Sequence, residues 1–294
     1  MPNLNTVPAT AGAQWLLDAF ALLRRQPLAL GLLGLTWGAM AMVVLVGAQL
    51  NATFGLALQL ALSLLGPFLF AGLLWAVREV DQGRPALPMH LFKGLQLGRA
   101  GSLLTTLLPQ VAAGLLLGVA FLALIGPEAM QRFGEAAEKM AAAQQAGSPP
   151  DPALLNGLPV GGALLCLLLA FALAVAVALM LFVAVPQIIF TGTPGLRALG
   201  NSLRASLRNL PAMAVFLLLL FISLLAISFA AQIIALVVQL LLGPSAALLL
   251  VNLLMMAVLM PLLAATAYYA WKQMLRDAGD AASPAQAPAS HIEV

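Results

Sequence analysis

Six apolar runs, at residues 28–50, 54–77, 101–125, 160–185, 211–241 and 246–269, contain no Asp, Glu, Lys or Arg. Each reaches or exceeds the roughly 20 residues that cross a hydrocarbon core of about 30 Å as a helix. Lipid offers no hydrogen-bond partner, so a spanning chain must satisfy its backbone internally, as a helix or a closed barrel. Barrel strands would show a two-residue alternation of apolar and polar side chains, which these runs lack. The fold class is therefore all-α, a polytopic transmembrane helical bundle of about six spans. Hydrophobic residues make up 63% of the 294 and charged residues 8%, against about 25% charged in soluble chains. That balance excludes soluble enzymes, disulfide scaffolds and disordered activators.

With six spans, successive loops alternate sides, and basic residues should collect on the cytoplasmic side. Arg24, Arg25, Arg78, Arg84, Lys93, Arg99, Arg197, Arg204, Arg208, Lys272 and Arg276 fall in segments of one parity. Only Arg132 and Lys139 fall in the other, where Glu128, Glu135, Glu138 and Asp151 offset them. The expected location is a bacterial inner membrane, with both termini cytoplasmic. No basic segment leads a short apolar stretch with a cleavage site, so the first run is expected to remain as a span. A net charge of +3 is too small for a nucleic-acid surface.

The segments between spans have their own periodicities. Residues 10–26 place Trp15, Ala19 and Leu23 on one face, predicting an amphipathic interfacial helix with Trp15 as a headgroup-level anchor. Residues 91–97 predict a short helix bearing Lys93, and 135–146 a helix of Ala, Glu, Gln and Lys, followed by a linker at 147–152. Over 193–210, Thr193 is expected to cap a helix with Pro194 in its first turn. There Leu196, Leu199, Leu203, Leu207 and Leu210 form one stripe, and Arg197, Asn201, Arg204 and Arg208 another. Basic segments at 10–26, 86–99 and 193–210 each precede a pair of spans, which suggests three hairpin units. The integral domain covers 1–276, and the Ala, Pro and Ser of 277–294 predict a disordered cytoplasmic tail.

Candidate chemistry is sparse. His90 and His291 are distant in sequence and lie in no metal-ligand spacing, and Cys166, the single cysteine, lies within an apolar run. No phosphate loop, nucleophile elbow or CxxC is present. Neither catalytic residues nor a metal or other cofactor is expected. Gln59, Gln110, Gln187, Gln232, Gln239 and Asn252 are candidates for an intramembrane polar lining. The same amides can tie helices together at about 0.6 kcal/mol per contact, which is the preferred expectation. Gly34 with Gly38, and Gly114 with Gly118, form GxxxG pairs for close helix packing. Arg197, Arg204 and Arg208 are candidate contacts for anionic headgroups or an acidic partner, beside their ordinary role in fixing topology.

The stretch Pro186–Pro211, PQIIFTGTPGLRALGNSLRASLRNLP, resembles a signature of an uncharacterised family of proteobacterial multi-pass inner-membrane proteins. The opening VPATAGAQWLLDAFALLRRQPLALG and the aromatic pattern of Tyr268 to Trp271 resemble other parts of that family. A more distant similarity is to the membrane region that accompanies some glycerophosphodiester phosphodiesterases. The resemblance implies an inner-membrane location and six or so helices, and supplies no catalytic residue. Together these readings lead to the expectation of a non-enzymatic protein with a structural or accessory role in the envelope. The alternative is a permease or exporter of small molecules or lipids. Expected partners are membrane lipids, and a membrane protein or a second copy.

Overall fold

A computed structural model describes residues 4–145 and 159–275; among these it is helical, with no strand. Helix α1 (Ala11–Arg25) leads into α2 (Pro27–Leu50) and α3 (Ala52–Asp81). Short pieces follow: a 3-10 turn over Pro88–Phe92, α4 (Lys93–Gln96), α5 (Ala100–Leu104) and a 3-10 turn over Thr105–Leu107. Then come α6 (Leu108–Leu124), α7 (Pro127–Gln145), α8 (Val160–Leu181), α9 (Ala184–Thr191), α10 (Gly195–Arg208), α11 (Leu210–Leu242) and α12 (Pro244–Met274). Six stretches are long and apolar enough to cross a membrane: Pro27–Leu50, Ala52–Asp81, Ala100–Leu124, Gly161–Thr191, Leu210–Leu242 and Pro244–Met274. They match the six expected runs. The predicted linker at 147–152 and the tail at 277–294 lie outside the described residues.

Two of these stretches break where proline dictates. The third is interrupted by the turn over Thr105–Leu107, and the fourth between α8 and α9. Pro109 and Pro186 stand in the first turns of α6 and α9, where the missing N–H costs nothing, so each helix restarts just upstream of its proline. Pro67 and Pro261 lie within continuous helices. The run predicted at 211–241 is one helix of 33 residues, about 50 Å long at 1.5 Å per residue.

The chain divides into two compact units, Met1–Leu107 with Met180–Val294, and Leu108–Leu179. In the second unit, Gly126 takes a positive φ of 78° to turn the chain from α6 into α7. There Gly162 lies so near the Leu124 carbonyl that a Cβ would sit 2.6 Å from it. A Cβ at Gly114 or Gly118 would meet nothing within 4 Å, so this predicted packing pair is not packed among the described residues.

The first unit contains two tight hairpins. Asn51 turns α2 into α3, its Oδ1 accepting from the Thr53 and Phe54 amides at 2.8 and 3.2 Å, a side-chain cap of the kind asparagine favours. Gly243, at φ 89°, turns α11 into α12. Gly34 and Gly38 let α2 approach α12: a Cβ at Gly34 would lie 2.6 Å from the Met256 carbonyl, and one at Gly38 3.0 Å from Leu253. This glycine pair packs as predicted. Away from these seams apolar side chains face outward, Phe229 being 70% exposed and Leu240 80%, as lipid-facing surfaces require.

Helix α1 forms as predicted, yet Trp15 is fully buried and is no headgroup anchor. Its ring meets Phe182 and Phe216 at 6.0 and 6.3 Å, and its Nε1 donates to Gln273 Oε1 at 2.8 Å. Phe182 is available because it falls at the break between α8 and α9. Gly12 abuts the backbone of Ala212 and Phe216 in α11. Residues before α1 are strapped down as well: the Asn5 amide donates to the Met274 carbonyl at 3.0 Å, and the Val7 amide to Asn209 Oδ1 at 2.8 Å.

Helix α10 corrects the expected cap. Pro194, at φ −56° and ψ 141°, is the residue before the first helical turn, so the helix opens at Gly195 and Thr193 does not cap it. The Thr193 hydroxyl instead pairs with that of Thr191 at 2.8 Å. The face buried in the fold carries Ala198, Ser202, Ala205 and Asn209, whereas Leu196 is 67% exposed and Leu207 49%. Small residues allow α10 to pack closely within the protein, leaving most of the leucine stripe outward for lipid. Substituting Gly12→Val forces α1 off α11 and is expected to cost about 1–3 kcal/mol, read as a lower melting temperature and faster proteolysis before Arg25.

Candidate functional site

The polar ends of α3 and α12, with α9 and α10, carry most of the polar chemistry of the first unit. Asp81, the last residue of α3, accepts from Tyr268 Oη at 3.0 Å, Tyr269 Oη at 2.9 Å and Lys272 Nζ at 2.9 Å. Lys272 Nζ also lies 5.2 Å from the centre of the Tyr268 ring. One carboxylate thus ties three side chains of α12 to the end of α3. Adjacent to it, Phe190 contacts Tyr268 at 5.7 Å and Trp271 at 5.1 Å between ring centres. Arg78 lies against the Trp75–Phe190 ring pair, its guanidinium carbon 5.4 Å from the Trp75 centroid and 5.2 Å from that of Phe190.

The loop between α9 and α10 is held from within the same unit. Gly192 has φ 72°, and its amide donates to the Ile188 carbonyl at 3.2 Å, a left-handed close of the kind glycine permits. Arg99 Nη1 donates to the carbonyls of Ile188 and, at 2.8 Å, Ile189. A cation on the last carbonyls of a helix satisfies groups that lack intrahelical partners. The Val183 amide, freed at the helix break, donates to Ser202 Oγ at 3.1 Å.

These elements enclose a pocket of about 510 Å³, whose walls include Arg78, Gln187, Arg197, Asn201, Tyr268 and Trp271. Its volume lies in the range of about 300–1,000 Å³ usual for small-ligand sites. No carboxylate lines it. Gln187, Asn201 and Trp271 are 3%, 6% and 8% exposed, and Gln187 Oε1, Asn201 Nδ2 and Trp271 Nε1 have no hydrogen-bond partner. Buried polar atoms are nearly always paired, so three unpaired ones on the walls of one pocket mark it as the candidate site.

The predicted site residues divide accordingly. Arg197 and Gln187 line the pocket, while Arg204 and Arg208 are exposed elsewhere on α10. Gln59, Gln110, Gln232 and Gln239 are exposed on their helices and do not line the pocket. Gln59 Nε2 donates within its own helix to Ser63 Oγ at 3.4 Å. Asn252 is half-buried beside Gly38 and its Oδ1 is unpartnered. Arg78, Asn201 and Trp271 carry the site without having stood out as ligands, because an arginine ending a span reads as a topology signal and a terminal tryptophan as a belt residue.

Beyond the end of α3, Arg84 reaches back to pair with Glu79, and Gln26 bridges to the same loop, its Nε2 donating to the Arg84 carbonyl and its Oε1 accepting from the Ala86 amide. His90 is buried, and its Nδ1 accepts from the Leu87 amide at 3.2 Å. Burial lowers its pKa below the ordinary 6.5, with Glu79 opposing and Lys93 adding to the shift. Among the described residues no group of His, Cys, Asp and Glu is arranged to hold a metal. Compared with protein-family models, curated proteins and solved structures, the chain gives no significant match.

Two outcomes are expected. Asp81→Ala leaves Lys272 and two phenols without their acceptor and should destabilise the first unit by about 1–3 kcal/mol, measured by thermal unfolding in detergent. Because His90 has a lowered folded pKa, the stability from its neutral ring is present above 6.5 and lost as the pH falls through the lowered value. Amide protection over Leu87–Leu91, corrected for intrinsic exchange, should decline across that window, and His90→Asn should remove the dependence.

Proposed function

We propose that this chain is a non-catalytic protein of the bacterial inner membrane, with both termini cytoplasmic and an accessory role in organising the envelope. The observation that supports this reading is how the ionisable groups at the polar end of the first unit are used. Asp81 binds Tyr268, Tyr269 and Lys272, Glu79 binds Arg84, and Arg99 binds the carbonyls that end α9. These acids and bases fasten helix ends and loops in place instead of converging on a reactive centre. The charge asymmetry of the loops supports the orientation, and the resemblance of Pro186–Pro211 to inner-membrane proteins supports the location. Membrane lipids, a protein partner or a second copy are the interactions such a role requires.

Export of lipids or small molecules is the second reading, favoured by the pocket at the ends of α3 and α12. The two readings separate in one experiment: capture in native lipid discs with mass spectrometry, beside flux assays in liposomes. A stoichiometric protein partner with no flux above empty liposomes is expected, and flux that depends on the protein would replace the accessory role by export. Orientation is checked by labelling single cysteines in a Cys166→Ser background. Gly83→Cys should react from the cytoplasmic side and Asn51→Cys from the opposite side.

A further inference from the structure

The pocket walls bring together donors with a net positive charge. Arg78 and Arg197 make no ion pair among the described residues, and Arg78 packs against the adjoining rings of Trp75 and Phe190. Asn201 Nδ2 and Trp271 Nε1 add two buried donors without acceptors. The first turn of α10, a 14-residue helix, also ends here, adding the partial positive charge of a helix N-terminus. Opposing these is one buried acceptor without a donor, Gln187 Oε1. An anion matches the two arginines and the two orphaned donors, and a hydroxyl or ammonium on the same ligand matches Gln187.

Phosphate carries several acceptor oxygens and suits bidentate arginine. Tyr268 and Trp271 belong to the end of α12 that carries Lys272, the end of an apolar stretch where lipid headgroups would lie. We propose that this pocket is a binding site for a phosphodiester bearing a hydroxyl or ammonium donor, as in the headgroups of phosphatidylglycerol and phosphatidylethanolamine. The phosphate lies toward Arg78, Arg197, Asn201 and Trp271, and the donor of the headgroup lies toward Gln187. The site rests on its own geometry and is the same whether the chain organises lipid or exports it.

The test uses the full-length protein, delipidated in detergent and titrated by native mass spectrometry with phosphatidylglycerol, phosphatidylethanolamine and phosphatidylcholine. The first two should bind at least about tenfold more tightly than the third, whose headgroup has no donor for Gln187. Arg197→Ala, and Trp271→Phe, which keeps the ring and removes the donor, should each weaken all three lipids, again about tenfold. Gln187→Met should remove the discrimination among headgroups while keeping affinity for the phosphate. Melting curves identify any variant that fails to fold, and the three-lipid comparison on the unaltered protein needs no variant. Glycerophosphoglycerol, the same headgroup without acyl chains, separates the sources: binding by it assigns a soluble ligand, and binding by the diacyl lipid alone assigns a membrane lipid. Equal affinity for all three lipids, or affinity unchanged in folded Arg197→Ala and Trp271→Phe, would overturn the proposal.

Discussion

Helices in lipid gain nothing by hiding apolar surface from one another, because the acyl chains are as apolar as leucine. Close packing and polar ties must supply what the hydrophobic effect supplies in water. The first unit shows both. Gly34 and Gly38 bring α2 against α12 along the spans, and Gly12 seats α1 on α11. At the polar end Asp81 gathers Tyr268, Tyr269 and Lys272, so two hairpins with one-residue turns at Asn51 and Gly243 are locked at the ends opposite those turns. The pocket exists because the helix ends held by these ties leave space that their side chains line without filling.

The parts of this fold legible in the sequence are those governed by long-range averages. A run of twenty apolar residues is helical wherever it spans, whereas the breaks ahead of Pro109 and Pro186 fall inside runs that read as continuous. The Gly34 and Gly38 pair was legible because a repeat of small residues has a direct steric meaning. Its counterpart at Gly114 and Gly118 has the same spacing and no neighbour, since spacing states that a groove exists and not what occupies it.

Finer features depended on tertiary context. The leucine stripe of α10 could face lipid or protein, and Ala198, Ser202 and Ala205 are inside, with Leu199 the one buried leucine of the stripe; periodicity separates faces without saying which of them meets protein. Trp15 reads as a belt residue and is instead enclosed by Phe182 and Phe216, a contact that needs the break after α8. Of the pocket, Gln187 and Arg197 were recognisable from type and position. Asn201 was placed in the right polar stripe but not in the site, and the unmet donors of Asn201 and Trp271 emerge only when their surroundings are known.

The strap at the start of the chain sets an order of assembly. Asn5 and Trp15 bond to Met274 and Gln273, so their partners are synthesised at the far end of a long chain of spans. At about 5–20 residues per second, roughly ten seconds to a minute separates the synthesis of α1 from that of these two partners. Until then the Trp15 indole has no acceptor, although Ala212 and Phe216 of α11, which face Gly12, are already made. The tie from the start of the chain to α12 can therefore form only after α1 has α11 to seat on, and a nascent chain that stops short of α12 leaves the Trp15 indole N–H without its acceptor.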